Sequence, residues 1–134
     1  MNNKELLFKS LGHVKVILEY TSNIESYDNF INDPIALDLS LLHFGQIGEL
    51  CKRFTDDFKK KYGNIDFRAI SGLRDIVVHD YSGINYNEIF NTIKTDLPKL
   101  YDDYKKILLD DFAISELQLN KFIDSYISTR KFID

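Results

Sequence analysis

The chain has 134 residues, a formal net charge of -4, and 44% hydrophobic against 28% charged residues, the balance of one soluble globular domain with a core of its own. A net negative charge excludes a general polyanion binder, because affinity for nucleic acid is dominated by phosphate neutralisation, so any RNA contact has to be local. The single cysteine, Cys51, excludes an internal disulfide and a cysteine-based zinc cluster, and the absence of a signal-peptide core or a run of about 18 apolar residues points to a cytoplasmic protein with no membrane association.

Leu7, Leu11, Val14 and Leu18 recur at helical spacing and predict a first helix from about Asn3 to the region of Ile24. His13 lies beside that stripe. With no Cys, Asp or Glu at metal-ligand spacing around it, it reads as a surface or packed histidine rather than a ligand. The stretch Ser26 to Asn32 reads as a polar connection that tucks Phe30 and Ile31 against the core. Asp33 as N-cap and Pro34 at the first helical position then start a second helix.

That second helix carries Leu37, Leu41, Phe44, Gly48, Cys51 and Phe58 in near-heptad register, with Leu42, Ile47, Leu50 and Phe54 widening its apolar surface, which marks it as the central helix. Glycine in a helix interior costs about 1 kcal/mol relative to alanine, so Gly45 and Gly48 are expected to permit close approach of another helix. Glu49 beside them is expensive unless it pairs with a cation such as Arg74; the alternative places it with Gln46 on a solvated rim. His43 reads as structural and Cys51 as a packing residue. Lys59, Lys60 and Lys61 suit a helix C-terminus, with Gly63 following as C-cap.

Asp66 caps a third helix that runs from Phe67 to about His79, and Gly83 ends the segment beyond it. Between Ser71 and Gly83 the chain gathers Arg74, Asp75, His79, Asp80 and Tyr81 around an apolar Ile76-Val77-Val78 run. One short element thus holds a phosphate-binding cation, a side chain that titrates near neutrality and a phenol. At about 100° per residue, Asp75 and His79 share a helix face, whereas Arg74 and His79 diverge by roughly 140°. A single regular helix cannot aim both at one small target. Either the helix ends before His79, or two copies meet so that Arg74 of one chain faces His79 of the other. The plain alternative is a core helix with Ile70, Leu73 and Val77 inward, Arg74 and Asp75 solvated, and His79 a cation favoured by the helix dipole.

Asn85-Tyr86-Asn87-Glu88 has the form of a capping box. It opens a fourth helix with Tyr86, Phe90, Ile93, Leu97, Leu100, Tyr104 and Leu108 on one stripe, which Pro98 should kink or restart from Asp96. Ser115-Glu116-Leu117-Gln118 repeats the signal and opens a last helix offering Leu119, Phe122, Ile123 and Tyr126 to a partner surface. No stretch shows β-alternation. The expected fold is all-α, a bundle of four main helices over residues 1–110 with a C-terminal helical extension, 111–134, packed on the same domain.

Four segments, Ile47-Gly48-Glu49, Ile65 to Asp75, His79 to Asn85, and Asp96-Leu97-Pro98, stand in the order in which the HepT-like proteins of the HEPN superfamily carry similar ones. The chain resembles that family from roughly Leu6 to Leu108. The core of the resemblance is the family's motif of Arg, four residues, His, one residue, Tyr, here Arg74, His79 and Tyr81, with Asp75 as the polar residue after the Arg. The resemblance implies a HEPN-like homodimeric toxin that cleaves RNA without a metal or other cofactor. It also implies an MntA-like nucleotidyltransferase antitoxin that neutralises the toxin by attaching AMP to the motif tyrosine, Tyr81; no DNA ligand is expected.

Two motif helices meeting at a two-fold axis would form one cleft with two arginines and two histidines. RNA carries its own nucleophile, so cleavage there needs a base near the 2′-hydroxyl, charge stabilisation on the phosphate and an acid for the leaving 5′-oxygen. His79 would serve as base in one protomer and acid in the other, and Arg74 would hold the phosphate. Asp75 either orients the imidazole or stays a solvated carboxylate, and Glu49 supports the site. A different class of function remains beside this one, a non-catalytic HEPN-type dimer whose cleft binds nucleotide or docks the nucleotidyltransferase through Arg74 and His79.

Overall fold

A polar side chain satisfies the first free amides of each long helix, and these caps fix where the elements begin. Asn2 accepts from the Glu5 N–H to open α1 (Asn3–Thr21), and Asp33 accepts from the Ala36 N–H to open α3 (Pro34–Lys52). Asn85 accepts from the Glu88 N–H to open α7 (Tyr86–Asp111). At α8 (Glu116–Ile133) Ser115 and Gln118 cap each other, with N–H···O distances of 2.9 and 3.1 Å. Four short helices lie between: α2 (Tyr27–Ile31), α4 (Asp56–Lys61), α5 (Phe67–Ser71) and α6 (Leu73–Val78). The computed structural model describes residues 1–78 and 83–133, with side chains over 1–76 and 83–128. Among these residues there is no strand, and the fold is all-α.

The second helix is central as expected, since α3 packs on α1, α2, α5 and α6, and it shares that place with α1. Leu6, Leu7, Leu11, Val14 and Ile17 are fully buried, and α3, α7 and α8 all pack on that helix, while α3 turns its other side to α5 and α6. The stripe on α7 runs as expected, with Phe90, Ile93, Leu97, Leu100, Tyr104 and Leu108 all in the core. Phe30 of α2 is buried too. No helix among the described residues is long and apolar enough to cross a membrane.

Several elements depart from the periodicity. The second helix does not run on to Phe58. It ends at Lys52, where the Arg53 and Phe54 N–H groups bond the Leu50 and Cys51 carbonyls in a tight turn (3.1 and 3.3 Å), and Thr55 caps α4 afresh. The break turns Phe54 inward against Phe58, Phe67 and Tyr104, at ring separations of 4.5, 5.6 and 5.8 Å. The lysines do occupy the last turn of α4, but Tyr62 rather than Gly63 takes its C-cap.

The third helix is likewise two, divided at Gly72. The Gly72 N–H closes α5 on the Arg68 carbonyl, and the Gly72 carbonyl accepts from the Asp75 N–H of α6, both at 3.0 Å. Pro98 neither ends nor restarts α7, which is continuous through it. The carbonyl that Pro98 leaves without a helical donor belongs to Lys94, and both residues are on the exposed side of the helix, where solvent is within reach.

The partner surface expected for the last helix is its own chain. Leu119 and Ile123 of α8 are fully buried, and the Phe122 ring lies 4.2 Å from that of Phe8 on α1.

Candidate functional site

The site is built where α6 crosses α3, and Gly48 is what lets it form. A Cβ at Gly48 would lie 2.7 Å from the Arg74 backbone nitrogen and 2.9 Å from both Arg74 Cβ and the Ser71 carbonyl oxygen, so any side chain would push the two helices apart. Gly45, expected to play the same part, has nothing within 4 Å of the corresponding position and faces away from the contact. One helical step beyond Gly48, the Glu49 carboxylate forms an ion pair with Arg74 Nε. The expected pairing of those two residues is therefore present, at a partly solvated rim.

Both partners are about one-third exposed, at 35% for the Arg74 side chain and 39% for Glu49. An arginine held through Nε has its guanidinium plane fixed, while the group as a whole has donors enough to grip a phosphate with its terminal nitrogens. Around this pair, Leu73 is buried, and Ile70 and Ile76 lean on the core. Asp75, one step further round α6, is exposed. His79 and Tyr81 lie outside the described residues, as do the side chains of Val77 and Val78.

Beneath the site, the Cys51 thiol donates to the Phe67 carbonyl at 3.3 Å, and burial pushes its pKa up, so it stays a protonated packing group and no nucleophile. A cavity of about 350 Å³ opens on the other side of α5 and α6, against α7. Its lining includes Asp66, Asp96 and Asp103, and its one cation, Lys99, is paired with Asp103 at 2.8 Å. That charge has the wrong sign for a phosphate, and the cavity does not belong to the Arg74 site. Among the described residues no group of three or more His, Cys, Asp or Glu is placed to hold a metal ion.

The exposed side of α3 continues the site. Ile35, Leu42 and Glu49 are spaced by seven residues, so each is rotated only about 20° from the last, and Ile35 and Leu42 are 61% and 51% exposed. Leu42, expected to widen the apolar surface of this helix, does so on the exposed stripe that leads to Glu49.

Sequence reasoning missed one polar arrangement. His13, read as a surface or packed histidine, and His43, read as structural, are both buried, and they bond to each other and, through His13, to Tyr126. The only signal available was that each stands in or beside an apolar stripe.

A family model described as "Ribonuclease HepT-like" matches residues 11–107. Similar curated proteins include "Putative RNase MJ1216" of Methanocaldococcus jannaschii, 31% identical over 107 residues that make up 80% of this chain and 88% of that one. "Putative RNase TTE0752" of Caldanaerobacter subterraneus is 32% identical over 73% of this chain and 87% of its own. "Probable ribonuclease HepT" of Thermococcus cleftensis is 26% identical over 79% and 96%. Comparison with solved structures gives no significant match.

Proposed function

The chain belongs to the Ribonuclease HepT-like family, and on that premise we propose that it is an endoribonuclease whose cleft is shared by two copies of the chain, with Arg74 and His79 as the catalytic pair. The observation that carries this reading is the anchoring of Arg74. Its guanidinium is partly exposed yet fixed by Glu49, which is what a group that must meet a phosphate in one orientation requires.

The chemistry needs no cofactor. His79 of one protomer takes the proton of the RNA 2′-hydroxyl, whose oxygen attacks the adjacent phosphorus. Arg74 neutralises the charge that builds on the phosphate oxygens, and His79 of the other protomer gives a proton to the departing 5′-oxygen. The products are a 2′,3′-cyclic phosphate and a 5′-hydroxyl. Asp75, exposed on the same element, orients the imidazole. Helical backbone from Leu73 to Val78 supports a shared cleft, because Arg74 faces α3 and a residue five positions on, were the helix to continue, points about 140° away. The exposed Ile35 and Leu42 beside Glu49 supply apolar surface for a second copy.

As a toxin the protein would be restrained by a small nucleotidyltransferase that transfers AMP to Tyr81. The added phosphate would repel RNA and occupy Arg74.

The test is to incubate purified protein with RNA, with and without a chelator, and to identify the product ends. Cyclic phosphate ends, formed with chelator present and lost in folded Arg74→Ala and His79→Ala, are the expected result. Undiminished cleavage by a folded His79→Ala protein would overturn the reading, and RNA binding without cleavage by the wild type would make the protein a binding module.

A further inference from the structure

The cavity between α7 and the α5–α6 pair takes no part in the chemistry above. It has a volume of about 350 Å³ and an apolar lining of Ala69, Ile70, Leu73, Leu97 and Leu100, a size and a surface that suit a small molecule. Asp66, Asp96 and Asp103 stand among those apolar groups with Lys99 as the one cation. Past Thr92 and Asp96 the cavity continues into an open groove that adds Glu88 and no lysine or arginine. We propose that this cavity binds a linear aliphatic polyamine, with its ammonium groups on the carboxylates and its methylenes on the apolar lining.

One buried group in the cavity wall lacks a partner. Thr92 is 9% exposed, and among the described residues its hydroxyl has no hydrogen bond. Ser10 and Thr21, also buried in helices, each donate to the carbonyl four residues back at 2.7 Å; Thr92 does not. A hydroxyl left so is costly until something in the cavity bonds it.

The carboxylates do not converge on a point. Among the described residues no three acidic groups are placed to hold one metal ion, so a compact cation satisfies them only singly. They are strung along α7 instead. Thr92, Asp96 and Asp103 fall within about 40° of one another and cover about 16 Å of the helix axis, which calls for a cation whose charges are spaced along a chain. An ammonium donates three hydrogens and accepts none, so it bonds a carboxylate and a threonine oxygen alike.

The protein already seats one such group, since the largely exposed Lys99 donates to Asp103 at 2.8 Å. Asp66 spends one oxygen on the Ala69 N–H that it caps. Asp96 is exposed and has no partner among the described residues, so with Thr92 it forms the open end of the row. Each contact alone is weak at such exposure. Ammonium groups joined by a chain bind as one ligand, because each contact raises the local concentration of the next.

The experiment is calorimetric titration of the full chain with spermidine, a linear triamine, beside butylamine and magnesium chloride, in about 0.1 M salt. Spermidine should bind one per chain with a dissociation constant below about 1 mM, and butylamine at least about tenfold more weakly. Asp96→Asn and Thr92→Val should each weaken spermidine about three- to tenfold. Lys99→Gln should tighten it about two- to fivefold by removing the competing ammonium, whereas Asp38→Asn, which removes the same charge as Asp96→Asn from exposed α3, should change it less than about twofold. An equal loss in Asp38→Asn, or magnesium binding as tightly as spermidine, would make the amine a mere counterion and overturn the site. Unchanged binding in both folded Asp96→Asn and folded Thr92→Val would overturn it too. Should those variants fail to fold, amide resonances of the wild type decide. Shifts on adding spermidine that are confined to residues 64–73 and 92–103 support the site; shifts spread over the acidic surface overturn it.

Discussion

Arg74 on α6 is tied through Nε to Glu49 on α3, and the two helices come close enough for this only because residue 48 is a glycine. The pair is about one-third exposed, so its weight in stability is small, below about 1 kcal/mol once solvent screening is counted. Its weight in orienting the guanidinium is larger. Glu49→Gln should therefore leave the thermal midpoint within a degree or two while lowering RNA cleavage ten- to a hundredfold, because a small misplacement of a catalytic group costs about that much. Equal cleavage rates in matched assays of the two folded proteins would show that Arg74 needs no anchor.

The two glycines of α3 should respond in opposite directions to the same change. Gly45→Ala meets nothing within 4 Å and removes the backbone entropy of a helical glycine, which should stabilise the fold by about 0.5–1 kcal/mol. Gly48→Ala drives a methyl into the Arg74 and Ser71 backbone and should destabilise by about 1–3 kcal/mol, with Arg74 displaced and cleavage lost. Urea unfolding of both variants checks the signs.

What could be read from the sequence was what is decided locally or by charge. Asp33, Asp66, Asn85 and the Ser115–Gln118 pair announce their caps within three residues, and a carboxylate beside a buried glycine calls for a cation. Breaks that leave the apolar rhythm intact were not legible. Phe58 is seven residues from Cys51 and keeps step with it across the turn at Arg53, although it reaches the core on a different helix. Pro98 does not restart α7 at Asp96, because a proline on the exposed side of a long helix leaves only the Lys94 carbonyl without its helical donor. The apolar face of α8 showed that something covers it, not that α1 does. The His13–His43 contact joins residues 30 positions apart, a pairing that only the packing of α1 on α3 creates.

Tyr62 ties the end of α4 to the end of α7 by donating its hydroxyl to the Asp111 carboxylate. Burial, then the bond to that carboxylate and its charge, push the phenol pKa up to about 12. A pKa raised on folding means that the link is fully present below the unfolded value of about 10 and is lost as the pH rises from about 10 towards 12. Tyr62→Phe should lower stability by about 1 kcal/mol at neutral pH, a figure that allows for the exposure of the pair, and the gap should close at high pH. Unfolding midpoints of both proteins at pH 8 and pH 11 give the answer; an equal gap at both would mean that the ring contacts, not the hydroxyl, matter there.

If one cleft uses both copies of His79, activity depends on pairs of intact protomers and not on their number. Wild-type protein allowed to exchange subunits with an equal amount of His79→Ala forms random pairs, and only about a quarter of all dimers then carry two intact histidines. Since the total number of dimers has doubled, about half the original activity should survive. Protomers that each cut RNA alone would lose nothing, because every wild-type chain still has its own Arg74 and His79. Measuring cleavage before and after exchange, with the mixed species counted by native mass, separates the two cases. Retention of full activity at complete exchange would place acid and base within one chain, and α6 would then have to stop at Val78 so that His79 could turn back towards Arg74.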